Sequence, residues 1–303
     1  MINTAVTIDV PATTANLGPG FDCLGLALNI WNRVTIQISD QPRVEITGEG
    51  EKQLPLSTKN LVYRAASGLL DRLTPNQPHL SIQCHNSIPV ARGLGSSAAA
   101  VVGGLLAANE LFQRPYSQEE LIYMAETIEG HPDNVVPALL GGCQVVVKEH
   151  NSLVNTRIPI PSGIQTVLFI PEISMPTSKA RAILPAKVSR QDAVYNVGRV
   201  AMLVAALTTG HLEHLWVATK DKLHQPARES LLPQMPLIFK AAMNAGALGV
   251  FLSGGGSTIL ALAKGKEQTI AYEMADMANR SGLPGQTLIT GPTPTGARIM
   301  DIS

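Results

Sequence analysis

Hydrophobic and polar residues alternate at the start of the chain, with Val6, Ile8 and Val10 on one face and Thr7 and Asp9 on the other. A period of two predicts a half-buried strand, and Pro11, which has no backbone N–H to donate, predicts its end. Residues 12–22 follow with Gly18-Pro19-Gly20 at their centre and read as a loop. Alternation returns at Val34, Ile36 and Ile38 and again at Val44 and Ile46, predicting two strands paired across the turn Asp40-Gln41-Pro42. Leu80, Ile82 and Cys84 predict another strand.

Elsewhere the period lengthens to that of a helix. Leu61, Ala65, Leu69 and Leu73 line one face of a helix over 60–73, and residues 98–112 form a second helix rich in small apolar side chains. Ser117-Gln118-Glu119-Glu120 has the form of a capping box. The helix it opens carries Leu121, Ala125 and Ile128 as its core stripe, with Glu126 toward solvent, and must stop at Gly130-His131-Pro132. A strand over 143–147 leads to the polar, proline-bearing stretch 148–162, which predicts a boundary between domains 1–155 and 156–303. Beyond it, strands are expected at 166–170, 250–252, 259–263 and 286–289, and helices at 194–207, 233–245 and 267–279. Without a regular strand–helix–strand rhythm, the fold class is α+β rather than a doubly wound sheet.

Composition narrows the partners. With 303 residues and 45% hydrophobic content, the chain can build one or two cores. Basic and acidic residues are 23 each, and aromatic residues only 4%, so neither a phosphate backbone nor stacked bases find a matching surface. Met1 to Val6 show no basic segment leading into an apolar one, and no apolar run reaches the ~20 residues of a membrane span, so a cytoplasmic protein is expected. Cys23, Cys84 and Cys143 are too widely spaced for a disulfide framework or a zinc site and read as small buried hydrophobes.

The strongest local chemical signal is Pro89-Val90-Ala91-Arg92-Gly93-Leu94-Gly95-Ser96-Ser97-Ala98-Ala99. A strand enters it and a helix leaves it, so unpaired N–H groups and the positive end of the helix dipole suit an anion there. Glycine admits close backbone approach, and the serine hydroxyls can donate to phosphate or ligate Mg²⁺. No lysine follows the last glycine, so this is not a Walker A loop. Alone, the run also fits a tight turn with no ligand.

Two more runs stand in a telling order around it: Pro11-Ala12-Thr13-Thr14-Ala15-Asn16-Leu17-Gly18-Pro19-Gly20-Phe21-Asp22 before, and Leu252-Ser253-Gly254-Gly255-Gly256-Ser257-Thr258 after. Together the three resemble the motifs of the galacto-, homoserine-, mevalonate- and phosphomevalonate kinases. The runs Glu129-Gly130-His131-Pro132-Asp133-Asn134-Val135-Val136-Pro137-Ala138, Pro176-Thr177-Ser178-Lys179-Ala180-Arg181-Ala182-Ile183-Leu184-Pro185 and His224-Gln225-Pro226-Ala227-Arg228-Glu229 are most similar to those of the homoserine-phosphorylating members. The resemblance implies an N-terminal domain like the second domain of ribosomal protein S5 and a ferredoxin-like C-terminal domain. It implies transfer of the ATP γ-phosphate to the hydroxyl of L-homoserine, in threonine biosynthesis.

The same resemblance implies residue roles. Residues 89–99 would hold the phosphates, with Asn60 and Val62, beside Leu61, at the adenine. Ser97 and Glu129 would hold Mg²⁺, Glu126 being the other candidate. Asn16, Asp22, His131, Asp133, Asn134 and Thr177 would meet the acceptor, with Asp22, Asp133 and Asn134 at the chemistry. The hydroxyl proton would pass to Asp22 or Asp133, or directly to the phosphate. Arg181 and Arg228 otherwise read as surface arginines, but a planar guanidinium fork matches an amino-acid carboxylate. Asn16 and Asp22 also fit turn stabilisation, and His131, Asp133 and Asn134 a helix cap. A sibling kinase for mevalonate or a sugar, and a non-catalytic nucleotide-binding regulator, are the alternatives. A homodimer is the expected assembly.

Overall fold

The computed structural model describes residues 3–73, 78–150 and 152–302. Met1, Ile2 and Ser303, at the ends of the two expected domains, and Asn151, in the expected boundary stretch, lie outside the described residues. Strands β1 (Ala5–Ala15), β2 (Leu24–Ser39) and β3 (Arg43–Gly48) come first, then α1 (Leu61–Leu70) and β4 (His79–Asn86). Helices α2 (Ser96–Leu111), α3 (Gln118–Glu129) and α4 (Pro132–Leu140) precede the hairpin β5 (Cys143–Glu149) and β6 (Ser152–Ile158). The chain continues through β7 (Gln165–Pro171), α5 (Thr177–Ala182), α6 (Arg190–Thr209), the short α7 (Leu215–Ala218) and α8 (Gln225–Arg228), and α9 (Met235–Ala245). It ends with β8 (Gly249–Leu252), β9 (Ile259–Ala263), α10 (Glu267–Arg280), β10 (Gly285–Thr290) and β11 (Arg298–Ile302).

The first sheet runs β11-β1-β2-β4-β3, with β5 and β6 attached through β2. The second runs β10-β7-β9-β8, antiparallel throughout. Numbered within their own unit, its strands follow the order 4-1-3-2, with helices after the first and third: the ferredoxin-like arrangement. Both faces of this sheet are covered. Val167, Phe169, Ile259, Ala261 and Ala263 pack with α9 and α10, whereas Leu168, Ile170, Leu260 and Leu262 join the core of the first sheet. That double burial explains the unbroken apolar run of β7, and it fixes the two sheets against each other.

The structure departs from the expected pattern in several places. β1 does not end at Pro11 but continues to Ala15, and its pairing with β2 shifts register between Pro11 and Ala12. The irregularity falls where a ladder has no N–H to use. β2 and β3 do not pair: β4 lies between them, antiparallel to β2 and parallel to β3. Adjacency in sequence favours pairing without requiring it. The expected boundary at 155/156 cuts β6, which pairs with β5 from Cys143↔Ile158 to Glu149↔Ser152, and β11 returns to pair with β1. β6 is a largely exposed strand, so its polar residues read as a linker. α4 was hidden because Pro132, read as a stop, occupies the first turn of a new helix, where its missing N–H costs nothing.

The capping box of α3 is present: Glu120 N donates to Ser117 Oγ at 3.3 Å and Ser117 N donates to Glu120 Oε2 at 2.8 Å. Ser117→Ala is expected to cost about 1 kcal/mol, read as a lower urea midpoint with unchanged slope. The stripe of α3 is rotated from expectation. Ile128 is 39% exposed, while Glu126 is buried and paired with Lys148 of β5 at 2.8 Å. A carboxylate with a lysine reaching over it tolerates a face that carbon would otherwise fill. All three cysteines are free thiols, and burial pushes that of Cys143 up to about 12. Among the described residues, no helix is long and apolar enough to cross a membrane.

Candidate active site

Three distant segments clasp one loop. Beyond β4, Asn32 Oδ1 accepts the N–H groups of Ser87 and Ile88 at 2.8 and 2.9 Å, anchoring the chain before it turns. Gly95 then caps α2 with φ +70°, and a Cβ on it would lie 2.0 Å from Thr13 Oγ1. A Cβ on Gly93 would lie 2.1 Å from the Ser253 carbonyl oxygen. Both glycines are therefore required by close backbone approach, one toward β1 and one toward the turn after β8. Thr13 N donates to Leu94 O, Gly254 N to Ala15 O, and Thr258 N to Arg92 O, at 3.0–3.1 Å. Ser253 Oγ sits 2.6 Å from Gly93 O and 2.8 Å from Thr14 Oγ1. No side chain caps the N-terminus of α2, so its first-turn N–H groups are left for an anion.

That turn forms the wall of a cavity of about 330 Å³. At one end are Ile46, Lys59, Asn60 and Val62; at the other are Asp22, Asp133, Arg181 and Arg228. Every residue expected in the site lines this cavity except Pro89, Ala98, Ala99 and the alternative metal candidate Glu126. Ala98 and Ala99 are buried on the core side of α2, and Pro89 borders a separate cavity beside Glu49 and Glu172. Arg92 and Asn60 are among the lining residues that use their polar groups on the protein itself. Arg92 donates from Nε to Pro171 O at 2.8 Å and also to the Glu172 carbonyl, strapping the loop to the end of β7. Asn60 caps α1, accepting from Val62 N at 2.9 Å and donating to Pro55 O at 3.0 Å, which leaves a largely apolar wall there.

At the opposite end the loop after β1 bends through positive φ at Asn16, Leu17 and Asp22. Asn16 Oδ1 accepts from Asp22 N, and its Nδ2 donates to Gly254 O, both at 3.0 Å, so Asn16 shapes the turn while lining the cavity. Asp22 receives a bidentate pair from Arg181, Nη2–Oδ1 at 2.6 Å and Nη1–Oδ2 at 2.9 Å. Arg228 is no surface arginine: it is 2% exposed, and burial, with the Arg181 charge nearby, pushes its pKa down to about 10. It remains charged near neutrality. Phe21, an aromatic missed in the sequence as a site residue, has both guanidiniums over its ring, Arg181 at 5.5 Å and Arg228 at 5.7 Å. Its signal was available: a large ring in a glycine-rich loop of an aromatic-poor chain.

His131 is the N-cap position of α4, and Asp133 lies in its first turn, where the helix dipole favours a carboxylate. His131 Nδ1 lies 2.9 Å from Asp133 Oδ1, Asn134 Nδ2 donates to Asp133 at 3.3 Å, and Thr13 Oγ1 donates to Asn134 at 2.8 Å. Burial opposes a charge on His131, but the bond to Asp133 and the charges of Asp133 and Glu129 outweigh it, raising its pKa above the ordinary value. A raised folded value stabilises the protein in full below the unfolded pKa of about 6.5 and loses that contribution as pH rises through the folded value. The melting temperature of the protein relative to His131→Gln is thus expected to fall as pH rises above about 6.5; a constant difference would remove the charged pair.

Ser97 Oγ donates to Glu129 Oε1, so these two oxygens meet at the α2 N-terminus. A hydroxyl and a carboxylate are the hard donors that Mg²⁺ accepts alongside phosphate oxygens and water. Glu126, the other candidate, is committed to Lys148.

Two family models match the chain: the GHMP kinases N terminal domain over residues 60–142 and GHMP kinases C terminal over residues 204–280. A protein named homoserine kinase from Moorella thermoacetica is 44% identical over 97% of this chain and 99% of its own length. Another of that name from Desulfitobacterium hafniense is 38% identical over 97% of this chain and 100% of its own. The crystal structure of homoserine kinase from Cytophaga hutchinsonii superposes with a TM-score of 0.87 at 30% identity, covering 98% of this chain and 97% of that one.

Proposed function

The chain belongs to the GHMP kinase family, and from that premise we propose that it phosphorylates the side-chain hydroxyl of L-homoserine with ATP. The products are O-phospho-L-homoserine, ADP and a proton, and the reaction serves threonine biosynthesis in the cytoplasm. The observation that carries this reading is the acceptor end of the cavity, where two guanidiniums, from α5 and α8, lie over the Phe21 ring beside Asp22 and Asp133. A small zwitterion with a hydroxyl finds there a fork for its carboxylate and carboxylates for its ammonium. Mevalonate and sugars lack that combination.

Phosphoryl transfer depends on position and charge more than on covalent chemistry. The N–H groups of the 93–97 turn bind the phosphates, and Asn60 with Val62 borders the adenine. Ser97 and Glu129 would hold Mg²⁺, which when bound neutralises charge on the phosphate oxygens. His131 and Asn134 fix Asp133, while Asp22 accepts a hydrogen bond from the acceptor hydroxyl and Thr177 adds a hydroxyl at the rim. ADP release by the purified protein, with L-homoserine, mevalonate and galactose offered in turn, tests the reading. Turnover with homoserine well above the others is expected; turnover with mevalonate alone, or nucleotide binding with no turnover at all, would sink it.

A further inference from the structure

Arg228 enters the acceptor site from the protein interior, and a buried guanidinium needs acceptors for each N–H that does not face a ligand. Ala180 O takes Nε at 3.2 Å, and Nη1 donates to Gly254 O at 2.9 Å and to His224 Nδ1 at 2.7 Å. Among the described residues these bonds do not engage Nη2, which is left for a ligand in a residue that lines the cavity.

The bond to His224 settles the state of that ring. A guanidinium can only donate, so Nδ1 presents its lone pair and the ring proton sits on Nε2. Nε2–H then donates to the Gly18 carbonyl at 2.7 Å. His224 is completely buried, and that burial pushes its pKa down to about 4, consistent with a neutral ring beside a cation. Phe21 stacks on it, with centroids 5.3 Å apart and planes at 28°. Its backbone is fixed as well. The Asp221 carboxylate accepts N–H groups from Leu223, His224 and Gln225 at 2.7–2.9 Å and the Asn196 amide at 2.7 Å. Asn196 Nδ2 also reaches the Pro19 carbonyl at 3.1 Å. Asn196 of α6 and His224, the N-cap residue of α8, thus hold the carbonyls of the Gly18-Pro19 turn, and His224 holds Arg228 on its other side.

We propose that His224 is a positioning residue for the acceptor carboxylate: as a neutral Nε2–H imidazole it aims Arg228 and ties it to the loop that carries Phe21 and Asp22. It touches neither ATP nor the acceptor and acts through Arg228. The inference rests on the homoserine reading and sharpens it, because its effect belongs to one functional group of the substrate.

Two acceptors separate the possibilities. L-homoserine and 3-aminopropan-1-ol share the hydroxyl and the amine, and only the first has a carboxylate. His224→Met fills the space without the acceptor nitrogen or the N–H. It is expected to lower kcat/KM for homoserine about 30-fold, mainly through KM, with the ATP KM and the slow turnover of 3-aminopropan-1-ol within about twofold. His224→Gln, whose amide offers both an acceptor and a donor, should recover most of the loss. In an Arg228→Lys background, His224→Met should change homoserine kinetics no further, since the residue through which it acts is gone. Equal losses with both acceptors would show a merely structural role and overturn the proposal, as would an unchanged homoserine KM. If His224→Met does not fold by circular dichroism, His224→Asn, polar but too short to meet Arg228 and the Gly18 carbonyl together, takes its place alone and with Arg228→Lys: additive losses overturn the proposal. A wild-type protein that ignores homoserine fails the functional reading and this inference with it, whereas loss of both acceptors in the variants fails this inference alone.

Discussion

Gly95→Ala is expected to lower kcat/KM for ATP about 100-fold while leaving the protein folded. The added Cβ would meet Thr13 Oγ1 at 2.0 Å in a backbone held at φ +70°. The left-handed conformation alone costs a non-glycine residue roughly 1–2 kcal/mol. Relieving the contact requires a shift of about 1 Å between the loop and β1, and misplacement on that scale costs on the order of 100-fold in an oriented reaction. Thr13 has little room to yield, because its hydroxyl donates to Asn134 and its N–H to Leu94 O. The disturbance therefore passes from the proposed phosphate side of the cavity to the proposed acceptor side, and the homoserine KM should rise with it. Gly68→Ala is the control. That glycine lies within α1 with nothing inside 4 Å of a would-be Cβ, so alanine there should leave kinetics unchanged and stability equal or higher. Nucleotide binding within fivefold of wild type in Gly95→Ala would show that the loop does not hold the phosphates.

What the sequence conveyed about this molecule divides along a physical line. Local rules were strong enough to place the capping box at Ser117, the stop at Gly130 and the short strands β8 and β9, because each depends on residues within a turn or two. Pairings over long separations left little trace. β4 inserts between β2 and β3, and β11 joins β1 from almost three hundred residues away. The site shows the same division. The motifs named most of its walls, but they said nothing of what each polar atom does. Arg92 faces a carbonyl of β7, Glu126 faces Lys148, and Asn60 caps its own helix, commitments that only packing reveals. Arg228 shows the limit most plainly. Charge suggested a surface residue, and only the resemblance suggested a ligand, while the structure buries it against His224, Gly254 and Ala180.

The pair Asp22–Arg181 carries the other large effect: the Asp22→Asn and Arg181→Lys variants are expected to move the homoserine KM in opposite directions. The Nη1 and Nη2 edge of Arg181 already holds both oxygens of Asp22, at 2.9 and 2.6 Å. One such edge serves one carboxylate bidentately, so a substrate carboxylate must displace Asp22 to take it. The pair is about one-third exposed on each side, and such pairs contribute at most about 1 kcal/mol. Removing the competitor in Asp22→Asn should therefore lower the homoserine KM by no more than about fivefold. Its kcat should fall at least about 100-fold, because the side chain we propose to receive the hydroxyl hydrogen bond in the transition state has lost its charge. Arg181→Lys keeps the positive charge but loses the fork, so its KM should rise about tenfold or more with a smaller change in kcat. L-2-aminobutyrate, which lacks the hydroxyl, isolates the binding half of the argument: calorimetry should find it bound more tightly by Asp22→Asn than by wild type. Weaker binding there would mean that Asp22 holds the acceptor's ammonium more than it competes for Arg181, and the displacement would have to be abandoned. Tighter binding with a collapsed kcat would mean that substrate entry is what frees Asp22 for the hydroxyl, so that the catalytic carboxylate is released only when an amino acid has taken its place.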